Sequence, residues 1–572
     1  MDRKKLATLV GLAGGAAAGV SLYRWRRPLI AHWLDLPPAR YKVTVERGLR
    51  VPVEEGVTLA ADHYRPLPFA DGSAGEDFPT ILMRTPYGRR VMPPFYARRF
   101  AERGYHVVVQ DVRGRGGSDG EFEPFLYEDA DGEATVAWLR DQRWFDGRLG
   151  MWGQSYLGYV QWALAINAPG AVQALAPAIT SSRGIFIGDT DGAPMLDLPM
   201  RWLVILDALH GRWWRMLPPV QNRVVAPAFA HLPLGENDVL TVGEVVPFFR
   251  QMLGDTPPQR WRETDYRNRL DAVQAPVHLV GGWYDFMLQD LLGDYAALKK
   301  AGRQPYLTIG PWTHLFDGAE RANLQHGLDW FDAHLKGQRE RLRKEPVAVY
   351  LMGADEWRNF ASWPPPAEIR RYYLHSGGRL NTQPPMAAEA SAAATSRYTY
   401  DPADPTPSVG GPLFSREAGP TDNRALEARS DVLTFTTPPL ARDVDVVGPI
   451  RVRLFVRSTL EHTDFFGRLC DLHPDGRSIN VCEGIYRLEP AKAEKQEDGT
   501  MCLELDLWAT ANRFEKGHAI RLQISSGAHP HYARNLGTGA SAATAVEMRA
   551  AKQTIYHDAA HASALLLPVI SS

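Results

Sequence analysis

The segment GMWGQSYLGYVQWALA, residues 150–165, places Ser155 between two glycines. A strand-like stretch leads into the serine and a helix-like stretch follows it. A nucleophile on a sharp strand-to-helix turn needs small neighbours, because the backbone is crowded there. In the common motif Gly-x-Ser-x-Gly the second glycine lies two residues after the serine, whereas Gly158 comes one residue later. We interpret Ser155 as a nucleophile; a serine that only caps the helix is the alternative.

Two later segments contain the partners that a serine nucleophile requires. VHLVGGWYDFM places Asp285 just after a predicted strand, and YLTIGPWTHLF places His314 just after the next one. A histidine removes the proton of the serine hydroxyl, and a carboxylate orients and stabilises that histidine. The order serine, acid, histidine is that of α/β-hydrolases. We therefore predict Ser155, Asp285 and His314 as the catalytic set. Asp317 is a less favourable acid, because it lies in the same loop as His314.

Attack of a serine on a carbonyl group creates negative charge that two hydrogen-bond donors must stabilise. The backbone N–H of Tyr156, directly after the serine, is expected to be one of them. The segment MRTPYGRR places Tyr87 after an earlier predicted strand, in a proline turn that would fix its side chain. We predict that the phenol of Tyr87 is the second donor of this oxyanion hole.

Four aromatic residues close to the predicted strand ends suggest an apolar acyl pocket. They are Trp152, Trp283, Phe286 and Trp312. Ordinary packing around the ends of the sheet is the alternative for all four.

Two polar residues near the predicted site are expected to be structural. His278 lies inside its strand, and Asp290 lies in the helix after the acid.

These residues require a parallel sheet flanked by helices to bring them together. Apolar runs such as YHVVVQDVRG alternate with helical spacing and predict an α/β core over residues 40–182 and 269–342. Residues 183–268 show helical spacing with little strand signal, which predicts an inserted helical cap. From 345 to 572, short alternating runs separated by turns predict an all-β jelly roll. The predicted fold class is α/β, with an added jelly-roll domain.

The composition excludes several other classes of protein. The chain has 572 residues and a net charge of −2, so no basic field would attract nucleic acid. Three cysteines in a chain of this length do not form a disulfide framework. The sequence contains no CxxC motif or Cys/His cluster that suggests zinc. We therefore predict no metal, no cofactor and no nucleic-acid partner.

The N-terminal segment, residues 1–30, has a different character from the rest of the chain. It begins with MDRKK, continues without a charge from Leu6 to Tyr23, and is followed by RWRR. An uncleaved membrane anchor, a cleaved signal peptide and a small-residue helix packed on the protein are all compatible with this pattern. We expect a protein that is anchored to a membrane or exported. Basic residues on both sides leave the orientation undecided.

Several segments together resemble the CocE/NonD hydrolase family, which is related to the α-amino-acid ester hydrolases and the X-Pro dipeptidyl-peptidases. They are RTPYGRR, QDVRGRGGSDGEF, GMWGQSYLGYVQWALA, GGWYDFM and GPWTH. The later strings YYLHSGGRL, YDPADPTPSVGG and GHAIRLQISSGAHP resemble the C-terminal domain of that family. The resemblance implies a hydrolase core, a helical cap and a jelly roll. It also implies that Ser155 is the nucleophile, Asp285 the acid, His314 the base and Tyr87 the oxyanion-hole tyrosine.

The resemblance implies a serine hydrolase that cleaves ester or amide bonds through an acyl-enzyme. In amino-acid ester hydrolases, part of the carboxylate cluster that grips the substrate ammonium group directly follows the acid, whereas the residues after Asp285 here are Phe, Met and Leu. An X-Pro dipeptidyl-peptidase remains the alternative; Asp189, Asp191 and Asp197 would then bind the peptide N-terminus, unless they form a solvated loop. A membrane-tethered jelly-roll binding protein with an inactive core is an alternative of another class. The expected substrate is a small ester, an amide or a short peptide.

The motif QDVRGRGGSDG is expected to lie near the site. Its charged residues Asp111 and Arg113 are predicted to be structural rather than catalytic.

Overall fold

The structure is a computed structural model that describes residues 27–54, 56–67, 77–184, 192–253, 259–315, 318–386 and 394–571. The apolar segment from Leu6 to Tyr23, together with Asp189, Asp191 and Asp317, lies outside the described residues. Among the helices that are described, none combines the length and the apolar character needed to cross a bilayer. The N-terminal anchor therefore stays a prediction.

A ten-stranded sheet forms the first part of the fold. Its strands are β1 (Lys42–Glu54), β2 (Val57–Leu67), β3 (Thr80–Thr85), β4 (His106–Asp111), β5 (Leu149–Gln154), β6 (Ala174–Ala178), β7 (His278–Tyr284), β8 (Tyr306–Thr313), β9 (Val347–Leu351) and β10 (Glu356–Phe360). Their order is β1-β2-β4-β3-β5-β6-β7-β8-β9-β10. Neighbours from β4 to β9 pair in parallel, and the pairs at both edges are antiparallel. All residues of β3, β4, β6 and β7 are buried, which explains their apolar composition.

Helices cover both faces of this sheet and the edge that carries the site. They are α1 (27–33), α2 (Pro93–Ala101), α3 (Glu128–Arg140), α4 (Tyr156–Asn167), α5 (Asp197–Ala208), α6 (Pro218–Ala230), α7 (Asn237–Val242), α8 (Pro247–Leu253), α9 (Gln259–Arg262), α10 (Leu288–Lys300) and α11 (Ala319–Leu335). The short helix α12 (Arg424–Glu427) belongs to the C-terminal part. On one face α3, α4 and α10 share a core with Met151 of β5. On the other face α2 and α11 pack against the next residue of that strand, Trp152.

The described part of the segment between β6 and β7 contains the helices α5 to α9 and no strand of either sheet. These helices have an apolar core of their own, built around Met200, Val204, Val225 and Met252. The predicted helical insertion is therefore present. Its limits at residues 183 and 268 stay a proposal, as do the other domain boundaries.

The C-terminal part is almost entirely β structure. Its strands are β11 (Glu368–His375), β12 (Arg379–Asn381), β13 (Thr395–Tyr400), β14 (Leu433–Thr436), β15 (Val444–Ser458), β16 (Thr463–Leu472), β17 (Ser478–Leu488), β18 (Met501–Phe514), β19 (Ala519–Ser525), β20 (Ala551–Tyr556) and β21 (Ala564–Val569). The sheet runs β13-β20-β15-β21-β11-β12-β14-β19-β16-β17, with β18 paired to β15. The predicted α/β core with a second, all-β unit is confirmed.

The two units are joined by hydrogen bonds as well as by a shared apolar core. Met352, just after β9, accepts a hydrogen bond from the N–H of Arg513 and donates to the carbonyl oxygen of Ala511. The phenol of Tyr284, at the end of β7, donates to the carbonyl oxygen of Asn480 in β17 at 3.1 Å. The strand that precedes the predicted acid is thereby fixed to the all-β unit.

The close crossing of β17 and β18 depends on Gly484. A Cβ atom at this position would overlap the carbonyl oxygen of Asp506, and backbone cannot move aside as a flexible side chain can. We expect Gly484→Ala to lower the free energy of unfolding by about 1–3 kcal/mol, the usual range for overpacking. Thermal unfolding followed by circular dichroism measures the change.

Gly293→Ala is the matched control. Gly293 is an exposed residue of α10, and nothing lies within 4 Å of its Cβ position. Alanine favours a helix by about 1 kcal/mol relative to glycine, so this variant should be as stable as the parent or more so. Equal midpoints for the two variants would contradict the packing of β17 on β18.

Candidate active site

Ser155 occupies the single residue between β5 and α4, and its backbone is strained. Its φ of 55° and ψ of −122° lie in a region that side chains other than glycine rarely adopt. Its N–H donates to the carbonyl oxygen of Ala178 at 2.9 Å. Its own carbonyl oxygen accepts hydrogen bonds from Gly158 and Tyr159 N–H and from Thr180 Oγ1. These four bonds hold the turn that exposes the serine side chain.

Glycine is required at the two positions that flank this turn, because a side chain would not fit at either. A Cβ atom on Gly153, whose φ is +154°, would overlap the side chain of Leu157. A Cβ atom on Gly158 would lie 2.5 Å from the side chain of Thr180. The late glycine of the motif, in the first turn of α4, thus faces the residues just after β6, where no side chain fits.

A chain of hydrogen bonds connects Ser155, His314 and Asp285, which directly follow β5, β8 and β7, respectively. Ser155 Oγ lies 3.0 Å from His314 Nε2, and His314 Nδ1 lies 3.2 Å from each carboxylate oxygen of Asp285. Asp285 is 1% exposed and His314 is 5% exposed. The N–H of Met287 donates to Asp285 Oδ1 at 2.6 Å and fixes the carboxylate. This arrangement can carry a proton from the serine to the imidazole.

Two phenylalanine rings hold the imidazole of His314 in place. The ring of Phe286 stacks on it with centroids 4.2 Å apart, and the ring of Phe414 meets it edge-on at 5.3 Å. Phe414 belongs to the C-terminal unit, and no sequence motif had pointed to it. Its N–H donates to the carboxylate of Asp197 in α5 at 2.7 Å. The helical cap and the all-β unit therefore meet beside the histidine.

Asp197 requires a correction. It was expected either to bind a substrate ammonium group or to lie in a solvated loop. Instead it is 2% exposed and is paired with Arg201 at 2.6 Å. Because its other oxygen accepts the Phe414 N–H, the carboxylate is used within the fold.

Tyr87 follows β3 and directs its phenol toward Ser155. The phenol oxygen accepts a hydrogen bond from Trp202 Nε1 at 3.2 Å and is in hydrogen-bond contact with Ser155. Burial raises the pKa of Tyr87, whereas the hydrogen bonds with Trp202 and Ser155 act in the opposite direction. The phenol therefore stays protonated and can donate a hydrogen bond near the serine.

Tyr156 is the first residue of α4, so its N–H has no acceptor within the helix. The side chain of Tyr156 helps to hold the turn at Ser155 through two hydrogen bonds. The phenol donates to Glu128 Oε1 at 2.7 Å and accepts the N–H of Phe125 at 2.8 Å. Glu128 is paired with Arg84 at 2.9 Å, and all of these groups are buried. Burial raises the pKa of Glu128 while the Arg84 guanidinium opposes the shift.

A narrow cleft lies above Ser155. Apart from Tyr87, Ser155, Tyr156 and His314, its described lining is apolar. The helical cap contributes Leu198, Pro199, Trp202, Leu203, Phe248, Phe249 and Met252. Phe286, Met287 and Phe414 complete the lining. The sequence had indicated cap helices in this region, but helical spacing alone does not identify the residues that face a site.

Of the four predicted pocket residues, Phe286 lines the cleft and the three tryptophans do not. Trp152 lies on the face covered by α2 and α11, where its Nε1 contacts the carbonyl oxygen of Asn323. Trp283 Nε1 donates to the carbonyl oxygen of Tyr350, and Trp312 packs near Trp357. Side chains alternate between the faces of a strand, so closeness to a strand end does not place them in the cleft. This part of the prediction is wrong.

The remaining polar residues have structural contacts. Asp111 accepts hydrogen bonds from Arg89 and from Gly117 N–H, and Arg113 pairs with Asp131 and Glu54. His278 is buried in β7 beside Thr308. Asp290 accepts a hydrogen bond from Ser181 Oγ and has no contact with His314 among those described.

Comparison with known proteins finds relatives that cover most of the chain. Residues 55–316 match the family model of the X-Pro dipeptidyl-peptidases (S15 family), and residues 342–566 match that of their C-terminal non-catalytic domain. Cocaine esterase from Rhodococcus sp. is 33% identical over 92% of this chain and 99% of its own length. Among solved structures, an α-amino acid ester hydrolase has a TM-score of 0.77 at 22% identity and covers 93% of this chain and 97% of its own.

A CocE/NonD family hydrolase from Staphylococcus aureus has a TM-score of 0.66 at 16% identity, over 92% of this chain and 94% of its own. At such identities the two solved structures establish the fold only. The esterase, in contrast, shares a third of its residues with this chain over almost its full length. The chain therefore belongs to the CocE/NonD family and is a serine hydrolase.

Proposed function

We propose that the enzyme is a carboxylesterase that cleaves esters of apolar, uncharged acyl groups. The observation that carries the proposal is the 3.0 Å contact between Ser155 Oγ and His314 Nε2 at the floor of an apolar cleft.

The proposal also divides the chain into four parts. These are the N-terminal segment 1–30, the catalytic domain 40–182 with 269–342, the cap 183–268 and the jelly roll 345–572.

The reaction begins when Ser155 Oγ attacks the carbonyl carbon of the ester and His314 Nε2 takes the hydroxyl proton. The Asp285 carboxylate stabilises the imidazolium ion that forms. The carbonyl oxygen becomes an oxyanion, which receives hydrogen bonds from the Tyr87 phenol and the Tyr156 N–H. His314 then gives its proton to the leaving alcohol, and the acyl group stays on Ser155. Water, activated by the same histidine, releases the acid and restores the serine.

The apolar lining favours an acyl group without charge. Burying an ammonium ion without a partner is costly, and the described lining of the cleft offers no carboxylate for it. An X-Pro dipeptidyl-peptidase is the second candidate, because the family model over residues 55–316 has that description. Such an enzyme must bind the N-terminal ammonium group of a peptide. Asp197, an acid of the cap, is already bound to Arg201 and to Phe414 N–H.

Replacing the predicted acid tests the proton relay. We expect Asp285→Asn to lower kcat on a p-nitrophenyl ester by about 10⁴-fold, because an amide can no longer stabilise the imidazolium. Asp290→Asn is the matched control: Asp290 lies five residues further along, but its contact is with Ser181. Steady-state kinetics of both variants, with circular dichroism to verify folding, provide the measurement. Equal losses in the two variants would remove Asp285 from the relay.

Replacing Tyr87, the predicted oxyanion donor, tests whether its phenol contributes to catalysis rather than to the stability of the fold. We expect Tyr87→Phe to lower kcat by about 10²–10³-fold with little change in KM, because the phenol acts on the charge of the transition state. Tyr159→Phe is the control: its buried phenol donates to the carbonyl oxygen of Thr264 at 3.1 Å, outside the cleft. That variant should lose thermal stability and keep its kcat. An unchanged kcat in Tyr87→Phe would contradict the assignment.

A pair of substrates tests the proposed acyl preference. The p-nitrophenyl esters of 4-methylpentanoic acid and of L-leucine have the same leaving group and side-chain length, and differ by the α-ammonium group. After correction for their spontaneous hydrolysis, we expect the uncharged ester to have a kcat/KM about 10²-fold higher, since an unpaired buried charge costs several kcal/mol. A preference for the leucyl ester, together with turnover of Gly-Pro p-nitroanilide, would favour the dipeptidyl-peptidase.

A further inference from the structure

Two histidines and an aspartate of the all-β unit lie together, outside the cleft described above. They are Asp471, His473 and His518, and one ligand atom from each lies within 4.8 Å of the others. We propose that this cluster binds a divalent transition metal ion, Zn²⁺, and that the ion fastens the β16–β17 hairpin to the start of β19. The proposal is independent of the ester substrate.

The pairing of strands brings the three side chains to one face. β16 and β19 are antiparallel, with Leu472 opposite Ala519 as the last ladder pair. One step further along, His473 lies opposite His518, and their ring centroids are 4.3 Å apart. Asp471 is two residues before His473, so it points to the same side of the strand. The sequence pattern concealed this cluster, because Asp471 and His518 are far apart in the chain.

The distances suit a small metal ion. Asp471 Oδ1 and Oδ2 lie 3.0 and 3.1 Å from His518 Nδ1, and Oδ2 lies 3.8 Å from His473 Nε2. Zinc bound tetrahedrally at about 2.0–2.1 Å keeps its ligand atoms about 3.3 Å apart. Small rotations of the side chains would bring the three atoms to that separation. Two imidazoles and a carboxylate favour zinc and similar transition metals over magnesium or calcium.

A second carboxylate lies near one of the two histidines, on the side of its ring that faces away from the cluster. Glu515 Oε2 lies 3.9 Å from His518 Nε2, the ring nitrogen that faces away from Asp471. Histidines that bind metals commonly donate their other N–H to a carboxylate, which fixes the tautomer and the ring orientation. A small rotation of the Glu515 side chain would bring it within hydrogen-bond distance of Nε2 and leave His518 Nδ1 free to bind the ion.

The backbone positions the ligands without help from a metal. His473 N–H donates to the carbonyl oxygen of Arg477 across the β16–β17 turn, and His518 N–H donates to that of Glu515. The carbonyl oxygen of His518 also accepts the N–H of Leu440. The side chain of His473 is 25% exposed, so an ion can enter from solvent.

The test is zinc binding by the full-length protein, purified without a polyhistidine tag and freed of metal by a chelator. Titration with Zn²⁺ against a chromophoric chelator should give one equivalent per chain. His473→Gln and Asp471→Asn should each weaken binding by at least about 10-fold, and Glu515→Gln by about 10-fold. His561→Gln is the matched control. His561 lies 3.2 Å from both Asp558 and Asp498 but belongs to no two-histidine cluster within the described part of the chain, and its loss should leave the affinity unchanged.

Thermal unfolding gives a second readout that does not depend on activity. Zn²⁺ should raise the unfolding midpoint of the parent and of His561→Gln, but not that of His473→Gln, because a ligand that binds only the folded state stabilises it. Ester hydrolysis should be the same with and without chelator. Zinc uptake by the parent no greater than by His473→Gln would overturn the proposal. So would an equal loss of binding in His561→Gln.

Discussion

The left-handed backbone at Ser155 is the constraint on which the rest of the catalytic unit depends. A serine with a φ of 55° persists only where its surroundings hold it, and here Ala178, at the end of β6, and Thr180, two residues later, do so through hydrogen bonds. The two glycines, Gly153 and Gly158, are consequences of the same turn, since side chains at either position would collide with neighbours. The parallel sheet supplies the rigid strands that hold this strained turn in place.

Three parts of the chain contribute to a site that none of them could form alone. The α/β core supplies Ser155, Asp285 and His314 from strand ends. The helical cap covers them with apolar side chains and donates the Trp202 N–H to Tyr87. The all-β unit inserts Phe414 beside the histidine, where Asp197 of the cap holds its backbone. Because the cleft excludes most polar groups, the few hydrogen bonds in it act in a medium of low dielectric constant.

The sequence predicted those features that depend on local pattern. Buried parallel strands are apolar throughout, so the runs that became β3, β4 and β7 were recognisable, and so were the polar residues just after them. Side-chain direction was less accessible: Trp152 and Met151 are neighbours in β5 but pack on opposite faces. Contacts between distant segments were not predicted, because no local pattern records that Phe414 reaches His314, or that His518 faces His473.

Of all the proposed roles, that of Ser155 as the residue that carries the acyl group can be tested most directly. A fluorophosphonate reacts covalently with a serine only when a base has activated it. Mass spectrometry of peptides from the labelled protein therefore tests the claim directly. We expect one adduct per chain, on the peptide that contains Ser155, and slow labelling when His314 is replaced by Gln. An adduct on another serine, or no adduct in a protein that still hydrolyses esters, would contradict it.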